Sequence, residues 1–352
     1  MTICYFGIYE PNYTRNRVNI QGLRENGVEV IECNSQEKGL KKHWDLFRKH
    51  WQLRGKYDLM IVGFMGHAVM PIAWLVTRFP RKKLVFDAFI SVYDSNIFDR
   101  KKHARYGFMA IKYWLIDWLS CNLADTVLMD AEAHAEYISK TFHVPRQKVK
   151  GLLVGCPDDV MYPRPQNKTE SDFIVHFHGT YIPLQGTPYI IKAAKILDGK
   201  GVKFNIVGKL STYTESINLA KQLGMKNVRF YDYMPYDKLA EFMANADMCL
   251  GAFGDTEKAK RMGIFKIIEA MAMKKPFITG NTVAMREFLT DRKDVLFCKI
   301  ADSQDLADKI MELKNDENLR NKIAENGYQL YKSRFTPRGI GQSLLEIINV
   351  LK

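Results

Sequence analysis

No two of the six cysteines (Cys4, Cys33, Cys121, Cys156, Cys249, Cys298) stand close together, and most lie inside apolar runs. That excludes a disulfide framework or a cysteine zinc site and points to buried thiols of a reducing compartment. No window holds the roughly 18 uninterrupted apolar residues that cross a bilayer. The nearest, residues 106–119, contains Lys112 and Asp117. The opening residues lack a basic start, a long apolar stretch and a small-residue cleavage site, so we expect no export and a cytoplasmic protein, associated at most with the inner face of the cell membrane. Helix-turn-helix, zinc and RNA-binding motifs are also missing. The formal net charge of +13 therefore points to a nucleotide diphosphate or an anionic membrane surface and not to nucleic acid.

What is present suits an α/β protein of two domains. At 352 residues, 47% hydrophobic and 26% charged, the chain exceeds the usual ceiling for one core. Short apolar strands are expected at residues 3–6, 28–33, 59–63, 83–87 and 126–130, with helices between them, the longest across 104–122. Strands alternating with helices imply a mostly parallel, doubly wound sheet. Residues 154–169 carry three prolines and few apolar residues, which marks a linker. A second α/β series then runs through strands at 173–178, 204–208, 228–231, 248–251 and 276–279 and closes in helices from Ser303. We expect an N-terminal domain over 1–160, a second over 170–335, and a terminal helix, 336–352, folded back on the first. In residues 38–51 cations interleave with Trp44, Phe47 and Trp51 at helical spacing. This is either an amphipathic surface helix or one whose aromatic stripe packs on its own domain.

The strongest local pattern is residues 261–279, RMGIFKIIEAMAMKKPFIT. Gly263 and Ile264 lead into a helix that starts near Phe265 and stops at Lys274-Lys275-Pro276. Its N-terminus presents free N–H groups and a positive dipole end, and Lys266 adds a full charge beside it, a combination suited to phosphate. Glu269, one turn on, can accept hydrogen bonds from ribose hydroxyls. Taken alone, it equally suits a residue that merely favours the helix end.

The run FKIIEAMAMKKPFITGN (265–281) resembles the donor-site signature of family 4 of the glycosyltransferases. Residues 178–186, HGTYIPLQG, resemble that family's loop after the first donor-domain strand. Residues 87–100 and the tail from Asn315 to Phe335 are also similar. The resemblance implies a GT-B fold, two Rossmann-like doubly wound domains facing a central cleft. It implies retaining, metal-independent transfer of a sugar from a nucleoside diphosphate sugar to a glycan or polyprenyl-linked acceptor. Glu269 matches the glutamate that binds the donor ribose. The family's other motif glutamate falls on Arg261, and its arginine and lysine of the donor loop fall on Thr180 and Gln185.

With those cations missing, Arg261 and Lys266, helped by Lys209 after the strand at 204–208, are expected to meet the diphosphate. Gly7, Gly179, Thr180, Gly263, Ile264 and Phe265 complete the expected donor-site backbone, and Tyr233 is placed near the nucleotide base. Arg15 and Arg17, read as lying in a loop, either reach the cleft or are solvated. Asp87 is read as a buried strand's last residue, facing the sugar or anchoring the next loop. Asp94, Asp99 and Arg100 follow it, as acceptor contacts or an ion-pair network. Asp158-Asp159, beside Pro157, reads as turn chemistry and not as a metal site, while His67 and His134 read as structural. A sugar-nucleotide epimerase of the same fold and a degenerate transferase partner remain the alternatives.

Overall fold

A computed structural model of the chain describes residues 1–168 and 171–350. It divides into two compact units: Met1–Pro157 joined by the residues from Phe335 onward, and Asp158–Arg334.

The first unit contains β1 (Thr2–Gly7), β2 (Glu29–Asn34), β3 (Leu59–Val62), β4 (Lys83–Phe89), β5 (Thr126–Met129) and β6 (Val149–Gly151). They pair in parallel in the order β2-β1-β3-β4-β5-β6. Central strands such as Leu-Met-Ile-Val in β3 are buried along their whole length, as a sheet covered by helices on both faces requires. Phe6, Val62 and Phe86 build its core with Ile138 and Phe142 from a crossover helix. The winding reverses between β1 and β3.

The second unit contains β7 (Phe173–His178), β8 (Val202–Val207), β9 (Val228–Tyr231), β10 (Met248–Leu250), β11 (Phe277–Gly280) and β12 (Leu296–Cys298). Their order is β12-β11-β10-β7-β8-β9, again all parallel. Its winding reverses between β7 and β10. In doubly wound sheets ligands bind beyond the strand ends at such a reversal. Both units are thus the Rossmann-like domains expected. The strands β6 and β12 are not among those expected from the sequence.

After the second unit the chain re-enters the first, where Cys156 N–H donates to Phe335 O at 2.9 Å. Helix Pro337–Asn349, capped by Thr336, then lies against helix Thr14–Glu25. Two glycines permit the contact: a Cβ on Gly22 would stand 2.0 Å from Pro337 O, and one on Gly341 2.1 Å from Gly22 O. Asp158 and Asp159 lie in an exposed turn. All six cysteines are buried, and none is in a disulfide.

Three expectations are corrected here. Arg15 and Arg17 belong to helix Thr14–Glu25 and not to a loop. Asp87 lies within β4 instead of ending it. Its carboxylate is also closed off: Oδ1 accepts from Arg15 Nε and Nη2 (3.1 and 2.7 Å), and Oδ2 from Arg15 Nε and Asn19 Nδ2 (3.0 and 2.9 Å). Arg15 also donates to Leu152 O at 2.7 Å and lies over the Phe89 ring. Burial works against the Arg15 charge, but Asp87, with smaller help from Asp130 and Tyr5, offsets it and the guanidinium's pKa is raised. Fully buried and fully paired, Asp87 is a structural anchor of the first unit. Asp94 and Asp99 are likewise buried, in the π-helical turn Asp94–Asp99.

Candidate functional site

β7 carries His176 and His178 two residues apart, so both side chains point to one face of the sheet. That face receives helix Phe265–Ala272, whose first turn holds Lys266 and whose next holds Glu269. His178 Nε2 lies 2.7 Å from Glu269 Oε2, and His176 Nε2 lies 3.1 Å from His178 Nδ1. An ionised carboxylate only accepts. His178 therefore carries its proton on Nε2, its Nδ1 accepts from His176 Nε2–H, and His176 Nδ1 is left as a buried lone pair without a partner. Burial first, then the neighbouring His178 and Lys266, holds the His176 pKa well below its usual value. The row is a directed chain of hydrogen bonds that fixes the rotamer of Glu269. Glu269 Oε1 makes no hydrogen bond to the described residues and remains available.

Lys266 is buried beside this row. Its Nζ donates to Gln185 Oε1 and stands 3.9 Å from the centroid of the Phe177 ring. Burial lowers its pKa to about 7, against the upward pull of Glu269. The ammonium fits because residue 179 is glycine: with φ at +148°, a Cβ there would lie 2.9 Å from Nζ. Tyr213 Oη donates to Gly179 O at 2.5 Å and holds that turn from behind. The loop from Gly179 to Gly186 is tied to the exit of β10 by Phe253 N–H to Gln185 O and Gly254 N–H to Leu184 O, both 3.1 Å.

Of the residues singled out in the sequence, Gly179, Lys266 and Glu269 converge, with Gly263, Ile264 and Phe265 forming the entry to the helix. Thr180 is exposed at the same loop. Lys209 and Tyr233 are exposed on the loops after β8 and β9. Asp232 ties those loops together by accepting from Leu210 N–H at 3.2 Å and Tyr233 N–H at 2.8 Å. Arg261 ends the short helix Glu257–Arg261 and is half-buried. Gly7 belongs to the other unit, at the end of β1 beside Gly63. Asp87 is taken up by Arg15 and is no part of this group. His67 and His134 each face an aspartate, Asp117 at 3.3 Å and Asp130 at 2.5 Å.

His176, His178 and Gln185 were not identified from the sequence as site residues. The signal for the histidines was two polar residues at period two in an otherwise apolar strand. Gln185 had been read only as a missing lysine. In the structure it is the acceptor that holds Lys266, a role lysine cannot fill.

Residues 161–330 match the family model described as glycosyl transferases group 1. Among curated proteins the chain is similar to an uncharacterized glycosyltransferase of Methanocaldococcus jannaschii, 26% identical over 44% of this chain and 42% of that protein. It is also similar to the capsular polysaccharide biosynthesis glycosyltransferase CapM of Staphylococcus aureus, 23% identical over 69% of this chain and 66% of that one. The lipopolysaccharide core biosynthesis glycosyltransferase LpsE of Rhizobium meliloti is 23% identical over 64% of each chain. The matches span less than two thirds of each relative's length. The fold is shared with Anabaena HepE, solved in complex with UDP and glucose (TM-score 0.73, 16% identity, 99% of this chain and 100% of that one). Sucrose-phosphate synthase of Thermosynechococcus elongatus has it too (TM-score 0.77, 13% identity, 100% and 99%). The stretch 161–330, which holds the site described above, therefore matches the group 1 glycosyl transferases, in a chain with the GT-B fold.

Proposed function

We propose that the protein transfers a sugar from a nucleoside diphosphate sugar to a hydroxyl of a glycan or polyprenyl-linked acceptor, retaining the anomeric configuration and using no metal. The observation that carries this reading is the pairing of Lys266 with an oriented Glu269 at the reversal of the second sheet. Lys266 and the N–H groups that open its helix meet the diphosphate, where charge grows as the bond to the sugar breaks. Glu269 Oε1 receives the ribose hydroxyls. Lys209 and Arg261 add positive charge, and Tyr233 faces the base. CapM and LpsE by name build cell-surface glycans, which supports that class of acceptor, and the UDP in HepE makes uridine nucleotides the first donors to try.

The test is a thermal-shift screen of nucleoside diphosphate sugars on the intact chain. A ligand that binds only the folded state raises the melting temperature. One donor should do so for the native protein and much less for K266A. No shift with any nucleoside diphosphate sugar would overturn the reading.

A further inference from the structure

Helix Phe108–Leu123 is built inside out. Of its 16 residues only Lys112 and Asp117 are charged, and the buried ones are Ala110, Asp117, Ser120 and Cys121. Asp117 sits on the inner side, accepting from Ser91 Oγ and from Val92 and Tyr93 N–H at 2.6, 3.2 and 2.9 Å. The large apolar side chains point outward: Phe108 is 80% exposed, Ile111 56% and Leu115 48%. A surface helix normally shows the opposite polarity, and one that is apolar nearly all round is normally covered.

The bare face continues on its neighbours. Helix Met70–Val76 packs beside it and beside helix Lys41–Leu53. From these emerge Trp74, Leu75, Trp51 and Trp44, with Phe79 on the loop that leads from Val76 to β4. The rings of Trp44, Phe47 and Trp51 follow one another at 6.0 Å. Of the aromatic stripe of residues 38–51, Phe47 packs on its own domain's core while Trp44 and Trp51 stay exposed. Between Phe47, Trp51, Leu75 and Phe79 lies a hollow of about 200 Å³.

Charge borders this surface with one sign. Residues 38–123 hold sixteen lysines and arginines against six aspartates and no glutamate, a net +10 of the chain's +13. Four of those aspartates, Asp87, Asp94, Asp99 and Asp117, are buried, so the outward balance is more positive still. Guanidinium groups lie over exposed rings at its edge: Arg54 over Trp51, Arg78 over Trp74 and Arg105 over Tyr106. Aromatic side chains beside cations, around an apolar patch, match the boundary between lipid headgroups and acyl chains.

We propose that this face docks the protein on the surface of a bilayer rich in anionic lipid, Phe108, Ile111, Leu115, Trp44 and Trp51 entering the headgroup layer while Lys101, Lys102 and Arg105 meet lipid phosphates. A second copy of the chain is the poorer occupant, because self-contact would bring two strongly basic surfaces together. Among the described residues no helix is long and apolar enough to cross the membrane, so the contact is with one leaflet. The surface lies wholly in the first unit and does not depend on the donor site.

The experiment is co-sedimentation of the intact chain with vesicles of phosphatidylcholine alone and of phosphatidylcholine with phosphatidylglycerol. The native protein should bind the anionic vesicles strongly and the neutral ones weakly. K101A/K102A/R105A should weaken anionic binding roughly 100-fold, at about fivefold per cation near a charged leaflet. F108S/I111S/L115S should weaken it by at least about tenfold, from the lost apolar burial, with an unchanged melting temperature. Absence of binding, equal binding to both vesicles, or indifference to the apolar triple would overturn the proposal. So would a dimer in sedimentation equilibrium that F108S/I111S/L115S dissociates.

Discussion

His178 Nε2 donates to Glu269 Oε2 across 2.7 Å, joining the end of β7 to the helix that begins with Phe265. The bond leaves one carboxylate oxygen for a ligand and fixes where it points. If Glu269 binds the donor ribose, E269A should raise the dissociation constant for the nucleoside diphosphate by about 10- to 100-fold, the range for a lost charge-assisted hydrogen bond. H178A should raise it by only about fivefold, since His178 acts through Glu269. In the double variant the losses should fall short of additive. Isothermal titration of the four proteins decides this, and full additivity would separate the two residues.

If the diphosphate of a donor lies at Lys266, donor binding should depend on pH. Burial holds its pKa at about 7, and a bound diphosphate favours its protonated form. Above pH 7 the free protein must take up a proton to bind. Affinity should therefore fall with rising pH, by up to about tenfold per unit, and K266A should lose this dependence. Titration in two buffers of different ionisation heat measures the proton directly. The same depressed pKa affects stability with a definite sign. Between about 7 and 10.5 the unfolded chain holds a proton on this lysine that the folded chain lacks, so its contribution to stability rises with pH. Below that window the full penalty of a buried ammonium applies. K266M should raise the melting temperature by several degrees near pH 6, with the gain fading toward pH 10, while donor binding is lost.

The fold was largely legible because its strands are continuous apolar runs broken by turn signals: 173–178 and 228–231 in the sequence are β7 and β9 in the structure. β6, Val-Lys-Gly, lacks such an apolar run, whereas β12, Leu-Phe-Cys, has one and is not among the expected strands. Lys266 and Glu269 were legible because they share one helix, and local spacing reports on one element. The partnerships of Gln185 with Lys266 and of Arg15 with Asp87 join positions 81 and 72 residues apart. They depend on which strands become neighbours, which periodicity does not encode. Asp87 was misplaced for that reason: a carboxylate near a strand end looks open until the arginine that fills its site is in place.

Gly179 tests how closely the site is packed. Its φ of +148° is strained for any other residue, and an added Cβ would press on Lys266 Nζ at 2.9 Å. G179A should cost about 1–2 kcal/mol of stability. By displacing the ammonium from Gln185 it should also weaken nucleoside diphosphate binding by about tenfold. Gly199, with a positive φ but open space around its Cβ position, is the control. G199A should show the conformational cost and leave binding unchanged.

The Arg15–Asp87 pair separates a structural role from a catalytic one. Both side chains are essentially inaccessible, and Asp87 holds Arg15 and Asn19 of helix Thr14–Glu25 against β4. D87N would leave a buried guanidinium without its counter-charge, so the first unit should lose roughly 3–5 kcal/mol in urea unfolding. R15M/D87L removes both charges together and should recover more than half of that loss, since a buried pair replaced by packed apolar groups is often near neutral. If Lys266 and Glu269 form the donor site, nucleoside diphosphate binding by D87N should stay within about twofold of native at temperatures where it remains folded. A reaction-centre aspartate predicts the reverse: D87N as stable as the native chain and without turnover. Unfolding curves and single-turnover rates on the same three proteins tell the two apart.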